Sequence, residues 1–113
     1  MYTLDGDGMK LRYRDKEIRL VKCDSILSRF RGFMMCKDIN YALLFNKCNS
    51  IHTFFMVSNI DVILCDKNDT ILYYYKDVKK NKIIWPKGGV NRVYELPVGY
   101  FDISVNEKVE VIR

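Results

Sequence analysis

Residues 60–76 read Ile60-Asp61-Val62-Ile63-Leu64-Cys65, then Asp66-Lys67-Asn68-Asp69, then Thr70-Ile71-Leu72-Tyr73-Tyr74-Tyr75-Lys76. Two apolar runs of strand length, rich in β-branched and aromatic residues, flank a polar turn, which is the strongest β-hairpin signal in the chain. Around it, Tyr41 to Phe45 has strand length and composition. Ile51 to Val57 is expected as a further strand, set off from the hairpin by Ser58-Asn59. Downstream, Arg92 to Leu96 reads as a strand stopped by Pro97 and Gly99, and Lys108 to Ile112 alternates again and closes the sheet.

The amino-terminal part repeats the pattern. Met9 to Arg14 and Glu17 to Lys22 alternate apolar and charged residues across Asp15-Lys16, predicting a hairpin with Met9, Leu11 and Tyr13 meeting Ile18 and Leu20 on one face. A helix is expected from Asp24 or Ser25, with Arg29 and Arg31 in its last turn, Gly32 just after it and Phe33-Met34-Met35 following as buried chain. The polar stretch from Asp77 to Gly89, carrying Trp85-Pro86, reads as an excursion, and Tyr100 to Asn106 as a helical turn or a loop. The expected fold is mainly β (α+β): a compact antiparallel barrel-like sheet of about seven or eight short strands with one or two short helices.

At 113 residues the chain is expected to form one domain, 1–113, large enough to bury a core without staples. The net charge of +5 raises the question of nucleic acid, but the basic residues are spread along the chain. The one tight run, Lys79-Lys80-Asn81-Lys82, reads as a solvated loop, so nucleic-acid binding is not expected. No stretch approaches 18 consecutive apolar residues and MYTLDGDGMK lacks an apolar signal core, so no membrane association and a cytoplasmic location are expected. Cys23, Cys36, Cys48 and Cys65 contain no CxxC pair and are expected to be free. With one histidine, no metal site and no cofactor are expected.

Three segments in order carry a resemblance. Arg29-Phe30-Arg31-Gly32-Phe33-Met34 is similar to the R-x-x-G-L-M signature of the domain of unknown function 192 family. Cys48 to Met56, followed by Ile60-Asp61-Val62-Ile63, resembles its HTFxM…xDVxF block, and Glu95-Leu96-Pro97-Val98-Gly99 resembles its ELPAG block. The chain departs from that pattern at Phe33, Asn59 and Cys36; if the arginine often found at the last position holds a ligand, the role is lost here or passes to Lys37. The resemblance implies a β-rich domain over about 25–113, preceded by the amino-terminal hairpin, and no established reaction, cofactor or partner.

His52 is the only histidine, and it lies within an apolar run four residues after Cys48 and nine before Asp61. A Cys48–His52 nucleophile oriented by Asp61 is one reading. The simpler one is a structural network, with Asp61 accepting backbone N–H groups or pairing with Arg29, and His52 held by hydrogen bonds. Trp85, beside Pro86, is either a contact point for a ligand or partner or a lid over the sheet. Glu95 ends a strand and could serve a pocket or pair with Arg92 or Arg29. The chain is therefore expected to be a non-enzymatic binding or accessory module with its contact surface at His52, Trp85, Glu95, Asp61 and Arg29. The alternative is a small enzyme with a His52-centred site using Cys48 or Asp61. Ligand, partner and oligomeric state are left open.

Overall fold

The computed structural model describes residues 8–25 and 32–113. Nine strands follow in chain order: β1 Met9–Tyr13, β2 Lys16–Lys22, β3 Ala42–Asn46, β4 Ile51–His52, β5 Ile60–Cys65, β6 Ile71–Val78, β7 Ile83–Ile84, β8 Arg92–Leu96 and β9 Glu110–Ile112. Seven of them form a sheet in the order β6-β5-β8-β3-β2-β1-β9, and β4 pairs with β7 in a separate ribbon. The β2–β3 pair is parallel and the other pairs are antiparallel.

The sheet curls until its outer strands meet at one end. Thr70, just before β6, bridges Lys108, just before β9. Ile71 N–H donates to the Glu107 carbonyl at 2.8 Å and Asn106 N–H to the Ile71 carbonyl at 2.7 Å. This contact shields two edges that would otherwise present unpaired backbone groups.

Strand alternation sorts the core into two layers. One face gathers Leu11, Ile18, Leu20, Leu44, Ile63, Tyr94 and their neighbours from all seven strands, filling the inside of the curl. The opposite face presents Leu43, Phe45, Val62, Leu64 and Val93, covered by Phe33, Met56 and Ile84. Every residue of β5 is buried, because it lies between β6 and β8 with a core layer on each side. That double burial explains its unbroken apolar run.

Both predicted hairpins form. The amino-terminal one turns at Arg14-Asp15 rather than Asp15-Lys16, since Tyr13 pairs with Lys16 and Arg14 takes a positive φ of 57°. Three expectations are corrected. Among the described residues there is no helix: residues 100–106 form a loop, the second of the two alternatives expected there, and the body of the first expected helix, 26–31, lies outside the described residues. The strand foreseen from Ile51 to Val57 stops at His52. There Thr53 is clamped by the 79–82 turn, its hydroxyl donating to the Lys79 carbonyl at 2.7 Å and accepting Lys82 N–H at 2.8 Å. Phe55 then reverses the chain with a φ of 62°. Finally, Phe33 is buried as expected but Met35 is exposed, also with a positive φ, at 63°. Among the described residues no helix is long and apolar enough to cross a membrane.

Candidate functional site

The covered face of the sheet opens into a cavity of about 600 Å³ lined by residues from five parts of the chain. Gly32 and Phe33 come from the loop before β3, Phe45 from β3, and Cys48, Ser50, Ile51, His52, Phe54 and Met56 from β4 and its flanks. Ile83, Trp85 and Pro86 come from β7 and the chain beyond it, and Glu95 from β8. The β4–β7 ribbon builds one wall because its register sets Ile51 against Ile84 and His52 against Ile83. Ile84 packs into the core while His52 and Ile83 line the cavity.

Among the described lining residues, Glu95 is the one carboxylic acid. On β8 it sits between Leu43 of β3 and Val62 of β5, and it is 3% exposed. Phe33 N–H donates to its carboxyl group, yet Oε1 has no hydrogen-bond partner among the described residues. Burial pushes its pKa up to about 8, with the Phe33 hydrogen bond opposing the shift. The carboxyl is therefore mostly protonated at neutral pH. Gly32 passes directly over it: a Cβ there would stand 3.1 Å from Oε1 and 3.3 Å from Oε2. With a φ of +51° as well, this position needs glycine for both its backbone and its clearance.

His52 is half-buried in the cavity wall. Its Nδ1 accepts Phe54 N–H at 3.2 Å, which places the ring proton of the neutral imidazole on Nε2. The ring stacks on Phe54 with centroids 5.1 Å apart. Cys48 lines the same cavity, and its thiol donates to the Ser50 carbonyl at 3.2 Å.

An apolar rim surrounds the opening. Trp85 is 67% exposed, and Ile83 and Phe54 are also exposed. Met35 N–H donates to the Phe55 carbonyl at 3.1 Å, so these two exposed side chains flank one hydrogen bond and both take positive φ. Bulky residues rarely adopt that conformation, and such strain clusters where a surface must be presented in one shape.

The structure thus brings together His52, Trp85 and Glu95, with Cys48 beside them. Asp61 belongs elsewhere. It lies on the inner face, 1% exposed, accepting Asp77 N–H at 2.8 Å, Gly99 N–H at 2.9 Å and the Tyr74 hydroxyl at 2.9 Å. The Tyr74 hydroxyl titrates above its usual range, through burial first and then its bond to Asp61. Arg29 lies outside the described residues. Arg92 does not meet Glu95: three positions apart on a strand they face opposite sides, and Arg92 pairs with Asp69 at 3.0 Å. The reading of single residues did not foresee Gly32, Phe54 or Ile83 as lining. Local chemistry marks Gly32 as a helix stop and the Phe54-Phe55 pair as strand interior; their places in the R-x-x-G-L-M and HTFxM blocks were the one further signal.

A family model described as DUF192, Uncharacterized ACR, matches residues 9–111. A UPF0127 protein of Thermococcus kodakarensis is 42% identical over 82 residues, covering 67% of this chain and 52% of that protein. One of Pyrococcus abyssi is 34% identical over 98 residues, covering 79% and 82%. The chain spans about half the length of the Thermococcus relatives it matches. A crystal structure from Sinorhizobium meliloti, described provisionally as a transcription regulator, has a TM-score of 0.78 at 15% identity and covers 91% of each chain. A protein of unknown function from Novosphingobium aromaticivorans has a TM-score of 0.77 at 12% identity, covering 96% of this chain and 91% of that one. At these identities the two structures share the fold.

Proposed function

The chain belongs to the DUF192 family, and on that footing we propose that it is a binding module whose cavity beside β4, β7 and β8 holds the apolar part of a small ligand. One observation carries the reading: a largely apolar cavity of about 600 Å³, rimmed by exposed Trp85 and Phe54, has a buried carboxyl oxygen at its wall with no partner among the described residues. That combination, an apolar enclosure with one unsatisfied polar anchor, is the usual build of a small-molecule site. A buried polar atom left unpaired costs about 1–3 kcal/mol, which a ligand group bonded to it recovers.

The binding reading is supported over a His52-centred enzyme by the directions of three groups. The Cys48 thiol is turned to the Ser50 carbonyl, and His52 Nδ1 faces its own chain at Phe54. Asp61 faces the inner core, where two backbone N–H groups and a tyrosine occupy it. A relay needs nucleophile, base and orienting acid in one line. The lysine run at 79–82 is exposed, but four of its backbone groups, the Lys79 and Lys82 carbonyls and the Asn81 and Lys82 N–H groups, hold Thr53, which gives the turn a structural task.

Toluene serves as a test probe, followed through the backbone amide resonances of the ¹⁵N-labelled protein. Saturable shifts confined to Phe33, His52, Phe54, Ile83 and Trp85 are expected. Amides that stay still at saturating toluene, or shifts centred on the inner core, refute the proposal.

A further inference from the structure

Resting on the reading of this cavity as a ligand site, we propose that it takes an organic cation: a small molecule whose ammonium group is set against the Glu95 carboxylate and whose apolar body lies between Trp85 and the stacked pair of Phe54 and His52 rings. Three observations converge on that class. Glu95 Oε1 is buried, lines the cavity and has no partner among the described residues. An ammonium group at that place supplies a counter-charge that offsets the cost of ionising a buried carboxyl. Second, the lining is rich in aromatic rings, with Phe33, Phe45, His52, Phe54 and Trp85 around one space. The negative face of an aromatic ring attracts a cation, and aromatic cages recognise ammonium groups in this way.

Third, the charge of the wall runs against the charge of the chain. The protein carries 19 Lys and Arg against 14 Asp and Glu, yet no Lys or Arg is among the described lining residues. Among the described lining residues, an anionic ligand would meet the Glu95 carboxyl with no basic partner beside it. A neutral ligand could satisfy Oε1 but would leave the ring faces with dispersion alone. The cavity volume of about 600 Å³ fits a small molecule rather than a folded partner.

The pairing has a pH signature. Around Glu95 the flanking strands present Leu43 and Val62, and the loop above presents Gly32 and Phe33. The other titratable groups among the described lining residues are His52 and Cys48. In the empty cavity burial holds the Glu95 pKa up to about 8. Binding a cation below that pH therefore releases about one proton, and affinity rises about tenfold per pH unit up to about 8 before levelling.

Calorimetry with benzyltrimethylammonium, whose charge does not titrate, compared with its uncharged isostere neopentylbenzene, tests this directly. At pH 8.5 the cation is expected to bind at least about tenfold more tightly. At pH 7, titrations in buffers of different ionisation enthalpy should count about one proton released. Glu95→Gln removes both the preference and the proton release, and Trp85→Ala, a change at an exposed position, weakens the cation several-fold with an unchanged urea midpoint. Equal or tighter binding of neopentylbenzene, or no proton release from the wild-type protein, overturns the cation assignment while leaving an apolar binding site in place. Failure of both compounds to bind, together with amides unmoved by toluene, overturns the binding reading itself. The proton count needs no variant, so it decides even if Glu95→Gln does not fold.

Discussion

Replacing Glu95 by Gln should change how the stability of this protein depends on pH. The Glu95 carboxyl ionises near 4.5 when solvated and near 8 in the folded chain, because burial penalises its charged form. Between those values the folded state binds more protons than the unfolded state, so stability falls as pH rises. Below 4.5 the group is protonated in both states and contributes nothing; above about 8 the full penalty is present. The gap between 4.5 and about 8, at about 1.4 kcal/mol per pH unit, sets an upper bound on the order of 5 kcal/mol. Glutamine keeps the shape and an oxygen to accept Phe33 N–H but cannot ionise. The variant should match wild type within about 1 kcal/mol at pH 5 and exceed it increasingly toward pH 9. Urea unfolding followed by circular dichroism at several pH values measures this. With an m-value of about 2 kcal/mol/M, the full penalty separates the midpoints by about 2.5 M. A difference that stays constant within about 0.5 kcal/mol from pH 5 to 9 refutes the buried-carboxyl argument.

Asp61→Ala removes an acceptor shared by Asp77 N–H, Gly99 N–H and the Tyr74 hydroxyl, and should cost about 3–5 kcal/mol in urea unfolding at pH 7. Asp61→Asn should rescue little, because its amide turns a donor toward donors, and a loss below about 1 kcal/mol for Asp61→Ala contradicts the scaffold role. Gly32→Ala puts a Cβ into left-handed backbone 3.1 Å from Glu95 Oε1, and should cost about 2 kcal/mol by the same assay. An unchanged midpoint shows that the loop does not need this conformation. Iodoacetamide labelling read by mass spectrometry should reach half-buried Cys36 and Cys48 first, then buried Cys23 and Cys65. Burial pushes the Cys65 thiol up, so it should be slow, and its labelling at the rate of Cys36 counts against the closed inner core. Selective labelling of Cys48 alone, far ahead of Cys36, would favour the enzyme reading instead.

Most strands were legible because each has a local signature. The β5–β6 hairpin follows from two apolar runs around a polar turn, and Arg92–Leu96 from its composition and the Pro97 stop. The Ile51–Val57 segment was misread for a physical reason. An apolar run looks alike whether it lies in a strand or is held in a loop, and here a clamp from residues 79–82, far along the chain, ends the strand at His52. Pairing Arg92 with Glu95 was excluded by strand alternation alone, a test available from the sequence. That His52 and Asp61 occupy opposite layers was not, because it depends on where β4 leaves the main sheet to pair with β7.

By itself the sequence determined the strand content, the two hairpins and the residues able to carry chemistry. These follow from periodicity, turn chemistry and residue type, which act over a few neighbours. Tertiary structure alone decided which of those residues share a space. Gly32, His52, Trp85 and Glu95 lie in four separate segments and meet only because the sheet order and the β4–β7 ribbon carry them to one face. The titration of Glu95 was decided there too, since it depends on the burial that this packing creates.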